Sequence, residues 1–367
     1  MEEQNSTRKK MPAAVKYLLR FLLVVFSTVI LIGITAYATL WIFCKGPSGA
    51  ARDLFVSTIL ETGQMKFLAS WYFDKEEILE ITQRNAMVQI EEEVDKDLIS
   101  IEISEQIENE EFDINEIEII ELSGRSFYAK LMIVNDPSRV KLSTIYPWSS
   151  MEREKSGQTL EKLVQNADAI AGVNGGEYHS DGNWGGRPRG VVVCEGDIQY
   201  NDPKRGDVLV GFSEDNILMI VDVGGMSASE VEEMILNEGI RDAVSFKDID
   251  DGDSNHFTKL IINGESREVS GSGSGANPRT AIGQRADGAV LLLVTDGRGS
   301  AGHIGATAAD LINIMMEYGA VNAANLDGGS SSAMYYNGAY EMTSVTLYYS
   351  TSSWKLPTAF VVEKREE

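Results

Sequence analysis

An acidic residue, two glycines and three hydroxyls follow an apolar run in the segment Asn325–Ser332 (NLDGGSSS). The carboxylate of Asp327 is a candidate acid, base or nucleophile. The glycines let the main chain turn tightly and approach a ligand. The serines and the freed amides can hold an anionic oxygen. These residue types indicate either a strand-ending turn without chemistry or an anion site beside a carboxylate.

Two earlier segments end in a similar way. The small, apolar run Ala167–Val173 ends in Asn174-Gly175-Gly176-Glu177, and the apolar run Ala289–Thr295 ends in Asp296-Gly297-Arg298. Each run has the length of a buried strand. The chain therefore places polar residues at the ends of three predicted strands, which favours the anion site over the plain turn.

A helix joins the second and third of these strands. Thr307 can cap a helix with Asp310 at its third position, and Gly319 ends the helix before the strand Ala320–Leu326. A β-α-β unit predicts two parallel strands. Asp296 and Asp327 would then lie at the same carboxyl edge of the sheet, where open α/β sheets bind ligands.

The candidate site combines carboxylates with guanidinium groups. Carboxylates can act as acid, base or nucleophile, and arginines can clamp a phosphate through two hydrogen bonds. The set is Asn174, Glu177, Arg279, Asp296, Arg298, Asp327 and the serines that follow it.

The sequence argues against a nucleotide hydrolase, a serine esterase and a zinc protease, because the motifs of these enzymes are absent. The chain has no Gly-Lys-Ser/Thr phosphate loop, no Gly-x-Ser-x-Gly elbow and no His-Glu-x-x-His pair. Two cysteines and three scattered histidines argue against zinc. The aspartates between Asp248 and Asp253 do not follow the EF-hand spacing, and a solvated turn is the expected structure there. No metal or other cofactor is predicted; a divalent cation such as calcium is compatible with the acidic residues but not demanded.

The charge of the chain limits its partners. The 367 residues carry a formal net charge of -24. A basic surface for nucleic acid or anionic lipid is therefore not expected.

The first 44 residues predict a membrane anchor. Basic residues are concentrated in residues 1–20, and the uncharged run Phe21–Cys44 is long enough to cross a bilayer as a helix. A cleaved signal peptide is the alternative, but the run closes in Trp-Ile-Phe-Cys rather than in a small-residue cleavage site. The charge bias predicts a single-pass protein at the cell membrane, with residues 1–20 in the cytoplasm and the remainder outside.

The remainder divides by composition. Residues 45–113 predict a juxtamembrane helix followed by an acidic spacer, because nearly half of the residues from Glu91 to Glu121 are Asp or Glu. The segment Ser270–Ala276 alternates serine and glycine, which fits a mobile loop or a linker. Residues 114–365 predict one folded domain outside the membrane. Its predicted class is α/β, or mixed α+β, with a largely buried mixed sheet and helices packed on it.

Four motifs in this order resemble the phosphodiester glycosidase family. They are Asn174-Gly175-Gly176, Asn277–Gly283 (NPRTAIG), Asp296-Gly297-Arg298 and Asn325–Ser331 (NLDGGSS), and the resemblance spans residues 168–362. It implies hydrolysis of a sugar-1-phosphodiester to the free sugar and a phosphomonoester. The departures are Glu177-Tyr178-His179, His303 and Lys355, where the family commonly has an aromatic pair, a small hydroxyl residue and an arginine.

Roles for the site residues follow from this resemblance together with the residue chemistry. Asp327, Asp296 and Glu177 are the catalytic candidates, and their individual roles stay open. The candidates for binding substrate or phosphate are Asn174, Gly175, Arg279, Thr280, Arg298, Gly328, Gly329, Ser330 and Ser331.

The sequence therefore predicts a membrane-tethered enzyme whose substrate is a glycosyl phosphodiester or a polysaccharide of the cell envelope, including exopolysaccharide. Two alternatives remain open at this point. One is a catalytically silent glycan-binding or assembly module, and the other is transfer of the sugar to an acceptor other than water.

Overall fold

The structure is a computed structural model. It describes residues 12–62, 65–101, 117–148, 156–179, 184–250, 255–344 and 351–364. The chain divides into two compact units, Met1–Phe55 and Val56–Glu367.

The regular elements are six α-helices and twenty-one strands within the described residues. The helices are α1 (Ala13–Lys45), α2 (Gly49–Leu60), α3 (Lys75–Arg84), α4 (Leu160–Asn166), α5 (Ala228–Glu238) and α6 (Ala308–Glu317). The first ten strands are β1 (Ile117–Ser123), β2 (Tyr128–Val134), β3 (Val140–Thr144), β4 (Ala169–Asn174), β5 (Tyr178–His179), β6 (Arg187–Pro188), β7 (Gly190–Cys194), β8 (Asp197–Asp202), β9 (Asp207–Ser213) and β10 (Leu218–Asp222). The others are β11 (Ile240–Lys247), β12 (Ile249–Asp250), β13 (Asn255–His256), β14 (Lys259–Ile262), β15 (Glu265–Ser266), β16 (Thr280–Arg285), β17 (Val290–Thr295), β18 (Ala320–Asn325), β19 (Ala333–Tyr336), β20 (Ala339–Thr343) and β21 (Thr358–Glu363).

Helix α1 is longer than the apolar run that predicted it. Its most apolar window has a mean hydropathy of 2.4, and by length and composition it can cross a membrane, either as an anchor or as a signal sequence. A 33-residue helix is roughly 50 Å long at about 1.5 Å per residue. The helix therefore exceeds the hydrocarbon layer and includes the basic residues Lys16 and Arg20.

Among the described residues, the second unit contains three large antiparallel sheets and two two-stranded sheets, β12-β13 and β5-β6. The first sheet has the order β1-β2-β17-β16-β18-β14-β15, the second β10-β9-β11-β7-β8, and the third β20-β19-β4-β21-β3. The predicted combination of helices and sheets is confirmed, but the hydrogen-bonded pairs within these sheets are antiparallel rather than mixed.

The predicted β-α-β unit needs a correction. Strands β17 and β18 run in the same direction, but they are not neighbours, because β16 lies between them and pairs antiparallel with both. Strand β16 forms a hairpin with β17, so the crossover through α6 must place β18 on the free side of β16. Both β17 and β18 still end at the same edge of the sheet, and β16 begins there.

The core lies where the three sheets meet. Its buried side chains include Leu292 of the first sheet, Phe212 of the second and Phe360 of the third. The outer face of each sheet is covered by one helix: α6 on the first, α5 on the second and α4 on the third. Since strands such as β9 and β17 are buried on both faces, they read as nearly continuous apolar runs in the sequence.

Local signals in the sequence agree with the helix ends. Ser227 and Thr307 both form capping boxes with the residue three positions later, and Gly239 ends α5 with a positive φ of 63°. Asn263 and Gly264 form the turn between β14 and β15, both with positive φ.

Two segments pack against the folded unit in the part of the chain that the structure describes. They are the predicted spacer and the segment Ser270–Ala276, which was predicted to be a mobile loop or a linker. The main-chain N–H of Val88 donates to the carbonyl of Glu268, and that of Ser100 donates to Ala286. Residues 102–116, which hold half of the acidic residues between Glu91 and Glu121, lie outside the described residues. In the serine-glycine segment, Ser274 is buried and its hydroxyl accepts a hydrogen bond from the N–H of Ala308.

Candidate active site

Asn174 joins three of the four sequence motifs. It is fully buried at the end of β4. Its side-chain amide donates to the main-chain carbonyl of Asp327 at 2.6 Å. Its Oδ1 accepts from the Thr280 hydroxyl at 2.7 Å and from the N–H of Ala333 at 3.2 Å. Asn174 and Thr280, which were predicted to contact a ligand, thus fasten the first sheet to the third.

Gly175 and Gly176 allow two strands to approach closely. A Cβ atom on Gly175 would lie 2.4 Å from the Thr358 hydroxyl, and one on Gly176 would lie 2.7 Å from the carbonyl of Ser245. The carbonyl of Gly175 accepts from the N–H of Asp327 at 3.4 Å. A larger residue at Gly175 would push the first motif away from Thr358, and one at Gly176 would push it away from Ser245.

Asp327 follows β18, and its carboxyl group has a raised pKa. Its carboxylate accepts hydrogen bonds from the Ser331 side chain and the Gly328 N–H, and the Ser331 hydroxyl also bonds the Tyr178 hydroxyl at 3.0 Å. Burial raises the pKa of Asp327 to about 7, and the nearby charge of Glu177 acts in the same direction. The side chain is densely surrounded by protein yet keeps solvent-accessible surface, and the partly accessible region around it is called the cleft below.

A second carboxylate faces this group from the first motif. Glu177 pairs with Arg189 at 3.1 Å and is mostly buried. Its charge acts on Asp327 and on Asp207, where burial raises the pKa of the carboxyl to about 6 and Glu177 adds to that effect. Asp207 also lines an open cavity of about 270 Å³ together with Lys259. Asp327 and Asp207 are thus two carboxyl groups with raised pKa values on which the charge of Glu177 acts.

Arg298 lies over the glycine turn. Its backbone has a positive φ of 54°, and its Nη1 donates to the Ser330 hydroxyl at 2.9 Å. A Cβ atom on Gly329 would lie 2.5 Å from Nη2 of Arg298. Protein atoms around the guanidinium and the charge of Arg279 lower the pKa of Arg298, while Asp327 opposes the shift. The Arg298 side chain also remains exposed to solvent, whereas the neighbouring Arg279 is buried.

Arg279 is held by a residue far away in the sequence. Its Nη2 forms a buried ion pair with Glu61 at 2.5 Å and donates to the carbonyl of Gly275 at 2.8 Å. Its guanidinium carbon lies 4.9 Å from the centre of the Phe257 ring. Among the residues that the structure describes, Nη1 makes no hydrogen bond. The Nε and Nη2 atoms of this arginine are thus held by protein groups, whereas Nη1 keeps its donor capacity.

Asp296 lies at the same edge but has different partners. Its Oδ1 accepts from the N–H of Tyr128, and its Oδ2 bonds Nδ1 of His303, both at 2.7 Å. Strand β16 separates Asp296 from Asp327, which corresponds to roughly 10 Å across two strand spacings. Asp296 thus belongs to a carboxylate–histidine pair at the side of the cleft, and Glu177 is the carboxylate that acts on Asp327.

The structure adds residues that the sequence analysis did not select for the site. Tyr178 and Arg189 contact Ser331 and Glu177 directly. Tyr178 lies beside a predicted site residue, which is a usable signal. Asp207 and Glu61 come from segments without any motif, so only the fold reveals them.

The predicted calcium alternative finds no support at Asp248. Its Oδ2 accepts from the main-chain N–H groups of Thr258 and Lys259 and from Arg267. Asp248 is thereby buried in a structural contact, although a solvated turn was expected; Asp251 and Asp253 lie outside the described residues. Within the described ranges, no group of three His, Cys, Asp or Glu side chains is arranged to hold a metal ion.

The chain belongs to the phosphodiester glycosidase family. The model of that family matches residues 167–363, which include the four motifs and the cleft that they form. This confirms the family that the motifs predicted.

Individual relatives are more distant. The chain is 26% identical over 201 residues to an uncharacterized protein, YomE, derived from the SPbeta prophage of Bacillus subtilis (strain 168); the match covers 54% of this chain but only 29% of that relative. The catalytic domain of zebrafish N-acetylglucosamine-1-phosphodiester alpha-N-acetylglucosaminidase, in a form auto-inhibited by its pro-peptide, is 18% identical. It has a TM-score of 0.48, with 70% of this chain and 86% of that domain covered. A hypothetical protein from Synechocystis has a TM-score of 0.42 at 15% identity, with 68% of this chain and 61% of that chain covered.

Proposed function

We propose that this protein hydrolyses a glycosyl phosphodiester, releasing the free sugar and leaving the phosphate on the other product. The observation that carries the proposal is the convergence of separate motifs on one cleft, in which Asn174 ties the Asp327 turn to the strand that begins after Arg279. Family membership supports this reaction class, while the substrate itself is our inference.

The positive side of the cleft suits the phosphate. Arg298 and the free Nη1 of Arg279 can both donate to phosphate oxygens, and their mutual repulsion is relieved when an anion lies between them. Charge neutralisation on the phosphate makes it a better leaving group. Ser330 keeps Arg298 in place for this role.

The acidic side suits the sugar carbon. Asp327 can hold a proton near neutral pH and act as the acid towards the departing phosphate oxygen. Glu177, which is paired with Arg189, is the carboxylate that would stabilise positive charge at the anomeric carbon or activate water. A pair of carboxyl groups, one acting as acid and the other as base or nucleophile, is the usual requirement for glycoside hydrolysis.

We further propose that helix α1 anchors the enzyme in the cell membrane, with the N-terminus inside and the catalytic unit acting on glycans outside. The basic residues at the start of the helix and its apolar length support this orientation. Membrane fractionation followed by protease treatment of intact cells tests it. Residues after 45 should be digested only from the outer side, and a soluble, shortened product would instead indicate a cleaved signal sequence.

The enzymatic proposal is tested with the purified full chain and a panel of glycosyl-1-phosphodiesters that includes UDP-sugars. We expect release of free sugar by the wild type and none by Asp327→Asn. Glycan binding that persists in both proteins without turnover at any pH would identify a binding module instead. Sugar attached to an added acceptor would identify a transferase.

A further inference from the structure

Glu61 contributes to the cleft from outside the family domain. It lies one residue after α2 and more than one hundred residues before the matched region 167–363. Its side chain is 7% exposed. Its Oε1 accepts from the N–H of Gly275 at 2.7 Å, and its Oε2 accepts from the side-chain amide of Asn277 at 3.2 Å as well as from Arg279.

The neighbouring residue Thr58 strengthens this contact. Its hydroxyl accepts from the N–H of Ala276 at 3.0 Å, and a Cβ atom on Gly275 would lie 2.4 Å from the Thr58 main-chain nitrogen. On its other side, Asn277 exchanges two main-chain hydrogen bonds with Ala306. The strand-like segment that leads to Arg279 is therefore held between residues 58–61 and residue 306.

The hydrogen bonds between the described residues and the Arg279 guanidinium involve two of its three nitrogen atoms. Nη2 donates to Glu61, to the Ser274 hydroxyl and to the carbonyl of Gly275, while Nε makes a long contact of 3.4 Å with Ala306. Nη1 is the end without a hydrogen bond among the described residues. A buried guanidinium fixed in this way loses little freedom when it binds an anion, because its orientation is set beforehand.

We propose that Glu61 is a positioning residue for Arg279, and that the segment preceding the family domain is a working part of the phosphate site. This inference rests on the proposed function, since it gives Arg279 a phosphate to bind. Without Glu61, the guanidinium would lose its charged partner and could turn away from the cleft.

The test compares Glu61→Ala with Glu80→Ala in the purified full chain. Glu80 is an exposed glutamate of α3 and serves as the matched control. The readouts are kcat and KM on a cleaved glycosyl phosphodiester, the Kd for inorganic phosphate by calorimetry, and the Tm. Glu61→Ala should raise both KM and Kd about tenfold or more, the effect of losing roughly one charge-assisted hydrogen bond, with a smaller change in kcat. If Glu61→Ala does not fold, Glu61→Gln replaces it in the test, because it keeps the side-chain volume and one acceptor oxygen. Glu61→Gln should raise both KM and Kd by at least about threefold.

A double variant distinguishes positioning from general stability. In the Arg279→Ala background, adding Glu61→Ala should leave the Kd for phosphate unchanged, because Glu61 acts through Arg279. The inference is overturned if Glu61→Ala lowers the Tm alone, if it raises turnover by unmasking the site, or if the wild type does not bind phosphate. A wild type that binds phosphate in a Glu61-dependent way, yet cleaves nothing in the panel, would reject the proposed reaction and retain this inference.

Discussion

Asp327→Asn should stabilise the protein at neutral and alkaline pH while it removes catalysis. The carboxyl has an ordinary pKa of 3.8 and a folded-state pKa of about 7. Between these values the unfolded chain is ionised and the folded chain holds the proton, so ionisation costs folding free energy as the pH rises. The full cost above pH 7 is roughly 4 kcal/mol, at about 1.36 kcal/mol per unit of pKa.

An amide at this position carries no such cost, although it weakens the contacts with Ser331 and Gly328 by about 1–2 kcal/mol. That loss does not vary with pH. The difference in free energy of unfolding, variant minus wild type, should therefore rise by about 3 kcal/mol from pH 5 to pH 8.

Urea unfolding in detergent, followed by tryptophan fluorescence, measures this difference. Asp215→Asn, in the exposed turn between β9 and β10, is the control and should show no such rise. A difference that stays constant between pH 5 and pH 8 would refute the assignment of a protonated carboxyl to the cleft floor.

Three further predictions concern the same cleft. Gly329→Ala should raise KM about tenfold or more, because the new methyl group displaces Arg298. The control is Gly338→Ala, where φ is also positive but the surrounding space is open, and KM should stay unchanged. Steady-state kinetics compare the two variants, and equal effects would mean that backbone strain alone is responsible. Asn174→Ala should lower the free energy of unfolding by about 2–4 kcal/mol, since it leaves buried partners on both joined sheets without a hydrogen bond. A loss below about 1 kcal/mol in a urea titration would contradict this prediction. Turnover should decline above pH 7, as Asp327 loses the proton that it donates, and a pH–rate profile that keeps rising to pH 9 would exclude it as the acid.

Local signals in the sequence account for much of the local structure. The capping boxes at Ser227 and Thr307, the glycine that ends α5 and the turn at Asn263 all follow from side chains within a few residues of each other. These features depend on short-range hydrogen bonds and backbone preferences, which the order of residues states directly.

The arrangement of the sheets could not be read in the same way. The sequence predicts that β17, α6 and β18 follow one another along the chain, but it does not show that β16 lies between the two strands in the sheet. A strand buried on both faces has the same apolar pattern in a parallel and in an antiparallel sheet. The shared edge of Asp296 and Asp327 was nevertheless predicted, because it depends only on strand direction.

The partners of the site residues were the least predictable part. Asp296 and Asp327 look alike in the sequence, yet one bonds His303 and the other bonds Ser331 at the cleft floor. Glu61 contacts Arg279 across more than two hundred residues. Such pairings arise from tertiary packing, and no local pattern encodes them.

Hydrolysis in ¹⁸O-labelled water tests the central claim most directly. A glycosidase breaks the bond between the anomeric carbon and oxygen, so we predict that the label enters the released sugar at the first turnover and that the phosphate product stays unlabelled by mass spectrometry. Label in the phosphate product would show attack at phosphorus. The cleft around Asp327 would then belong to a phosphodiesterase, and the reaction proposed for this protein would be wrong.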